Sequence, residues 1–211
     1  MNKTRLYSLI IIGLLAAGVA AFTLGRLYHL NVAKDADLNS LPVDADGFHG
    51  TAFKPPLDVH SIGLQHGEEA FQFGDLQGNI VIIFFGYTNC PDVCPLTMSK
   101  LASIYYELGE PKNVKVAMIS VDPETDTPEV IQDYARGFHP SFIGLGGSNT
   151  QVAEAVQTFY VARYKLSETQ VIHTSAVYLL DRQGWVRRVY SGEAIMQLQD
   201  DLPIMLVQQD Y

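Results

Sequence analysis

The segment from Asn79 to Pro95 reads NIVIIFFGYTNCPDVCP and joins a long apolar run to a turn that holds two cysteines. After Asn79, residues 80–85 are continuously apolar and rich in β-branched and aromatic side chains, so that residues 79–85 predict a strand buried on both faces. The polar residues 86–89 then break the run. Residues 95–108 predict a helix, because apolar residues recur at helical spacing and Gly109 follows as a stop.

Strands and helices continue to alternate after this helix. We predict a last helix from about Glu193 that is interrupted near Pro203, and a hairpin with its turn at 181–184. The other predicted elements are a strand over 114–121, a helix over 128–136, an extended run over 142–145, a helix capped by Asn149 or Thr150 that ends at Tyr160, and the two hairpin strands over 176–180 and 185–190. This order predicts an α/β fold, a thioredoxin-like sandwich with a central mixed sheet. Sites in such sheets form beyond the carboxyl ends of the strands, where the cysteines lie.

The chain begins with an uncharged apolar segment over residues 7–25. A helix of about 20 such residues crosses a bilayer. Lys3 and Arg5 precede the segment, which predicts a cytoplasmic start and an exported domain. A signal peptide cleaved near Ala20-Ala21 is the alternative, and it also exports the domain. The predicted organisation is a cytoplasmic tail (1–6), a single transmembrane helix (7–25), a linker (26–58) and a folded domain (59–211).

The N-terminus before the apolar segment is short and poor in serine, which favours a bacterial inner (cytoplasmic) membrane over an organelle. The folded domain is then expected on the periplasmic or outer side. The net charge is −9, and the first 30 residues hold three basic residues and no acid, so the rest of the chain carries −12. Such an acidic domain has no basic surface for nucleic acid. We expect a monomer.

Cys90 and Cys94 are the two cysteines of the sequence. A bridge between them would close a very small loop and contribute little stability, so the pair indicates chemistry more than scaffolding. Four residues apart on a helical turn, both sulfurs face the same side. The positive end of the helix dipole should favour the thiolate forms, and thiolates are soft ligands that suit Cu(I). The alternative is two small buried apolar residues.

An imidazole would complete a three-coordinate copper site, but spacing alone does not identify it. The geometry of a thioredoxin-like fold favours His173, because the entrance to the predicted hairpin faces the cysteines. The alternative for His173 is an ordinary loop histidine. The remaining histidines in the sequence are His29, His49, His60, His66 and His139.

Four segments resemble the Sco/SenC family, and the likeness runs from about Phe71 to the C-terminus. The most specific are FFGYTNCPDVCP (84–95), similar to the family's copper loop, and SVDPETDTPE (120–129), similar to its Asp-Pro loop. FHPSFIGL (138–145) and HTSA (173–176) support them. The resemblance implies that Cys90, Cys94 and His173 bind one copper ion, as Cu(I) and in some states Cu(II).

The same resemblance implies a copper metallochaperone. Its recipient would be the binuclear copper centre of cytochrome c oxidase subunit II, and a periplasmic donor would supply the copper. A membrane-anchored thiol–disulfide oxidoreductase that acts on the cysteines of an oxidase subunit is the alternative, with Cys90 and Cys94 as its redox pair. Three residues between the cysteines and the lack of a proline between Tyr160 and Asp200 weigh against a general thioredoxin.

The sequence departs from the family pattern at one position. Family members often have Asp directly before the histidine, where this chain has Ile172. A carboxylate there would tune the charge around the ligand. Asp122 and Asp126 could supply such contacts instead, and ordinary turn and capping roles are the alternative for both.

Overall fold

A computed structural model describes residues 43–167 and 170–208. The predicted tail, the predicted membrane anchor and the first part of the predicted linker lie outside these ranges. Among the helices of the described residues, none has the length and apolar character needed to cross a membrane.

The strand predicted around Ile80 lies in the interior of the central sheet. It runs over Ile80–Gly86, and every one of its residues is buried. One neighbour, Val114–Ser120, is parallel to it and the other, Ala176–Leu180, is antiparallel. Burial from both sides explains the uninterrupted apolar sequence, since an exposed face would need alternating polar residues.

Six strands form the central sheet, in the order β1-β10-β9-β4-β5-β6. Two small hairpins, β2–β3 and β7–β8, stand outside it. The strands are β1 Thr51–Asp58, β2 Gly63–His66, β3 Glu69–Gln72, β4 Ile80–Gly86, β5 Val114–Ser120, β6 Ile143–Leu145, β7 Arg163–Lys165, β8 Val171–His173, β9 Ala176–Leu180 and β10 Trp185–Ser191. Parallel and antiparallel pairs both occur, which confirms the predicted mixed sheet of an α/β sandwich.

Within the described ranges, four α-helices accompany the sheet, and three of them match predicted helices closely. They are α1 Val93–Glu107, α2 Pro128–Arg136, α3 Asn149–Thr158 and α4 Leu198–Val207, with 3₁₀ turns at Phe73–Leu76 and Gly192–Gln197. The cap of α3 is Ser148, one residue before the expected position, and its side chain accepts the Gln151 N–H. Pro203 lies inside α4 and does not interrupt it, because a proline there removes one backbone hydrogen bond without ending the helix.

The predicted linker is wrong at its C-terminal end. Thr51–Asp58 is β1, which pairs with β10, and the folded unit begins at Val43. Pro55-Pro56 argued against a strand there. Proline is tolerated on an edge strand, however, and β1 has a neighbour on one side and a register shift between Ala52 and Leu57.

The sheet gathers three segments at one edge. β4 and β5 are parallel, so Gly86 and Ser120 lie side by side where these strands end. β9 runs the opposite way, and its first residue, Ala176, therefore starts at the same edge. The residues that follow β4, those that follow β5 and those that precede β9 meet there.

Candidate metal centre

The cysteine loop, residues 86–95, leads from β4 into the first turn of α1. The Cys90 N–H donates to the Tyr87 carbonyl at 3.3 Å, and the Cys94 N–H donates to the Cys90 sulfur at 3.4 Å. A hydrogen bond also joins the two thiols, so the sulfurs lie close together. Both cysteines are free and buried, with Cys90 8% exposed and Cys94 fully enclosed.

His173 ends β8 and faces the cysteine loop. Its Nε2 lies 3.6 Å from the Cys94 sulfur. Its Nδ1 lies 3.0 Å from the Thr174 carbonyl, which can only accept a hydrogen bond. The Nδ1 therefore carries the proton, and the lone pair of Nε2 is directed at the sulfur. Such an imidazole is ready to act as a ligand through Nε2.

Two aromatic rings flank this imidazole edge to face. The ring centroid of Phe84 lies 6.3 Å from that of His173, and the centroid of Tyr87 lies 5.9 Å away. Phe84 belongs to the buried β4 and Tyr87 to the cysteine loop, and both are almost inaccessible. They restrict the imidazole orientation and shield one side of the pair from water.

Burial dominates the protonation of the two groups in contact. Desolvation lowers the pKa of His173, although the Thr174 carbonyl acts in the opposite direction. Desolvation also raises the pKa of Cys94 strongly, and a hydrogen bond with the Cys90 thiol adds to the rise. Burial thus favours the neutral thiol at Cys94, opposite to the thiolate expected at a helix terminus.

Asp126 holds the cysteine loop through hydrogen bonds with Thr88. It is buried, and its carboxylate accepts from the Thr88 hydroxyl at 2.5 Å, the Thr88 N–H at 3.1 Å and the Ser120 hydroxyl at 2.8 Å. The side-chain cap of α2 is Thr127. Asp126 thus ties the loop after β5 to the loop that carries the cysteines, instead of capping the helix.

Asp122 contacts the segment that carries His173. We call the paired strands β7 and β8 the histidine hairpin. Lys165 of this hairpin lies 3.0 Å from an Asp122 carboxylate oxygen. Asp122 has the expected turn role, since its carbonyl accepts from the N–H groups of Thr125 and Asp126. Its side chain also contacts the hairpin that presents His173.

The predicted donors are brought together, but they do not yet form a complete metal cage. Cys94 and His173 are in contact, and Cys90 contacts Cys94. Within 43–167 and 170–208, no group of three or more His, Cys, Asp or Glu side chains is arranged to hold a metal ion. The donor set, two thiols and an imidazole, fits a soft cation such as Cu(I), which would have to displace the thiol protons and draw the donors inward.

Four of the other histidines are engaged elsewhere, and His29 lies outside the described residues. His49 bonds to Asp201, and His60 bonds to Asp58 and the Gln183 carbonyl. His66 faces the Gly144 carbonyl, and His139 bonds to Ser141 and Glu110. Of the described histidines, His173 is the one that meets a cysteine.

Sequence reasoning missed the contribution of the histidine hairpin. Its two strands have three residues each, too few to show a period, so neither was predicted. Lys165 carries no recognisable motif and stands 43 residues from Asp122. Tyr87 could have been noticed, because it lies inside the cysteine loop. Ile172 is 56% exposed beside His173.

Known proteins resemble this chain in sequence and in structure. A SCO2-like protein of Rickettsia prowazekii is 34% identical over 146 residues, which cover 64% of this chain and 71% of that protein. The solution structure of apo Sco1 from Thermus thermophilus is 37% identical, with a TM-score of 0.66, and the match covers 74% of this chain and 96% of that one. The crystal structure of Arabidopsis thaliana ScoI with copper bound is 28% identical, with a TM-score of 0.65, and covers 77% of this chain and 99% of that one.

The family comparison covers most of the folded unit. A model of the SCO1/SenC family matches residues 62–200. This range includes β4, β5 and β9, which frame the edge of the sheet, and all three predicted copper ligands. On these grounds the chain belongs to the SCO1/SenC family.

Proposed function

We propose that this protein binds one copper ion through Cys90, Cys94 and His173 and passes it to the binuclear copper centre of cytochrome c oxidase subunit II. Copper is the cargo in this account. The observation that carries the proposal is the 3.6 Å approach of the His173 Nε2 to the Cys94 sulfur, between segments 79 residues apart. The copper-bound Arabidopsis relative supports the choice of metal.

The residues of the site have distinct roles in this function. The two thiols lose protons to become ligands, and the neutral imidazole supplies a third donor from the opposite side. Three donors leave the metal open to attack by an incoming ligand of the recipient. Phe84 and Tyr87 keep water from one side, and Asp126 holds the cysteine loop through Thr88.

A second function, thiol–disulfide exchange on the cysteines of an oxidase subunit, is supported by the contact between the two thiols. Cys90 is the outer of the two, and Cys94 is fully enclosed. In such a reaction the Cys90 thiolate would attack the partner disulfide, break its S–S bond, release one partner thiolate and form a mixed disulfide. Cys94 would then attack the Cys90 sulfur, form the Cys90–Cys94 bond and release the second partner thiolate. His173 has no covalent role in this exchange.

The proposed location follows from the residues that precede the folded unit. A helix over residues 7–25 would anchor the protein in the bacterial inner membrane by a single pass. Lys3 and Arg5 would stay in the cytoplasm, and the folded unit would face the periplasm. This places the copper site on the side of the membrane where a periplasmic donor could load it.

Anaerobic titration with Cu(I) against a competing chelator tests the proposed function. The wild-type protein should bind one equivalent of copper. Cys90→Ala and Cys94→Ala should each abolish tight binding. His173→Ala removes a direct donor and should weaken binding by more than the roughly 100-fold upper limit for loss of an outer partner. His60→Gln is the matched control, since His60 pairs with Asp58 and should leave affinity unchanged.

Two results would contradict this account. Unchanged affinity in either cysteine variant would exclude the cysteines as ligands. Weak copper binding by the wild type, combined with rapid cycling of Cys90 and Cys94 between dithiol and disulfide, would favour thiol exchange over copper delivery.

A further inference from the structure

The histidine hairpin depends on side-chain contacts for its position. β7 and β8 pair with each other and form a sheet separate from the central one. A two-stranded hairpin is marginally stable by itself in water. The place of His173 at the cysteine loop therefore depends on what binds the hairpin to the rest of the fold.

Two cationic side chains of β7 contribute to this connection, together with the buried side chain of Val171 on β8. The Lys165 ammonium lies 3.0 Å from Asp122 Oδ1 and 2.5 Å from Glu124 Oε2. The Arg163 Nε–H donates to the Val121 carbonyl. All three acceptors belong to the segment that directly follows β5. We call these contacts the β7 clasp.

The strand register places the clasp and the ligand on one face of the hairpin. Arg163 pairs with His173, and Lys165 pairs with Val171. Cross-strand partners and alternate residues share a face of a sheet. Val171 on this face is buried, whereas Ile172 on the other face is exposed. The Lys165 ammonium and the His173 imidazole therefore both face the body of the protein.

The Asp122 end of the clasp is buried. The Asp122 side chain is 1% exposed, and that of Lys165 is 26% exposed. The second carboxylate oxygen of Asp122 has no hydrogen-bond partner among the described residues. A buried carboxylate interacts strongly with a nearby cation, because little water competes for it. The ion pair with Asp122 therefore attaches Lys165 at a buried position, and the ion pair with Glu124 attaches it at an exposed one.

We propose that Lys165 is a positioning residue, whose ion pairs with Asp122 and Glu124 hold His173 against Cys94 and thereby set how tightly the site retains copper. The effect on copper rests on the proposed function, whereas the effect on the hairpin does not. Lys165 touches neither sulfur nor imidazole. It acts by limiting the positions that His173 can reach.

Hydrogen exchange on the full-length, copper-free protein tests the effect on the hairpin. Lys165→Met should speed exchange of the amides of β7 and β8 by at least about tenfold, since local opening governs their protection. Lys165→Arg should keep most of the wild-type protection of these amides. Glu124→Gln should reduce their protection less than Lys165→Met does, because the buried Lys165–Asp122 pair remains. Lys112→Met is the matched control, as an exposed lysine before β5 at the far end of that strand. Equal hairpin exchange in Lys165→Met and wild type would overturn the proposal.

Cu(I) competition with the same variants tests the effect on the site. Lys165→Met should weaken binding by about 10-fold to 100-fold, and in a His173→Ala background it should have no further effect. An equal loss in both backgrounds would show that Lys165 acts through general stability, and would overturn the positioning role. Failure of the wild type to bind copper would refute the proposed function, while the exchange result would still decide whether Lys165 holds the hairpin.

Discussion

Cys94 and His173 meet in a place with little water, and burial shifts both toward their neutral forms. The pKa of Cys94 is raised, so its thiol keeps a proton that copper must displace. The pKa of His173 is lowered, so the imidazole is already neutral at neutral pH and needs no deprotonation. Proton competition at this contact therefore comes from the thiol and not from the imidazole.

A pH dependence follows for copper affinity. The apparent Cu(I) affinity should rise through the neutral range and keep rising to about pH 9, because the raised pKa leaves the Cys94 thiol protonated there. Each displaced proton contributes about a tenfold change per pH unit. His173→Ala should weaken binding without changing this slope above about pH 6.5, since a group of lowered pKa holds no proton there.

Competition titrations at several pH values between about 6 and 9 measure this slope. His60→Gln is again the control, and it should follow the wild type. A wild-type affinity that levels off in the neutral range would show that the Cys94 thiol is already ionised, which contradicts the effect assigned to burial.

At the scale of single residues, the sequence indicated the proposed ligands more readily than their surroundings. Cys90 and Cys94 followed from spacing, and the choice of His173 needed the fold or the family resemblance. The link between Lys165 and Asp122 had no local signal, because both residues belong to unpredicted or irregular segments and meet through tertiary packing. The raised pKa of Cys94 likewise depends on burial, which a loop sequence does not reveal.

Among the elements, the segment from Val43 to β1 packs against the folded unit and belongs to it. Phe48 is buried, and the Arg188 guanidinium lies 4.1 Å above its ring. Asp44 and Asp46 also contact this guanidinium. His49 and Gly50 donate their N–H groups to the fully buried Asp201 of α4. Charged groups of the sheet and of α4 therefore hold residues 44–50, which directly precede β1, against the folded unit.

Removal of this segment should destabilise the domain. A protein of residues 59–211 lacks β1, Phe48 and the carboxylates that contact Arg188, and it leaves Asp201 without the His49 and Gly50 donors. Breaking a buried ion pair from one side costs about 3–5 kcal/mol. We expect the free energy of unfolding in urea to fall by at least that amount relative to residues 43–211. Equal unfolding midpoints would show that the segment is a passive linker.

Element prediction succeeded where a pattern was long enough to repeat. β4, β5, α2 and the β9–β10 hairpin followed from apolar runs, a helix-starting proline and turn residues. The short hairpins β2–β3 and β7–β8 have three or four residues per strand, too few to establish a period. β1 was missed because its two prolines argue against a strand until its edge position is known.

For the whole molecule, the central sheet explains how distant residues form one site. Parallel β4 and β5 end together, and antiparallel β9 begins at the same edge. The cysteine loop, the Asp122–Asp126 loop and the histidine hairpin are consequently neighbours. Asp126 joins the first two of them, and Asp122 joins the last two. The site is thus formed by two loops and one hairpin, and the buried carboxylates of Asp122 and Asp126 connect them through non-covalent contacts.

X-ray absorption at the copper edge on the Cu(I)-loaded full-length protein tests the central claim most directly. The account predicts two sulfur ligands and one nitrogen ligand per copper, with the imidazole contribution lost in His173→Ala and retained in the control His60→Gln. A copper bound by sulfur alone in the wild type, or a spectrum unchanged by His173→Ala, would contradict the three-ligand site.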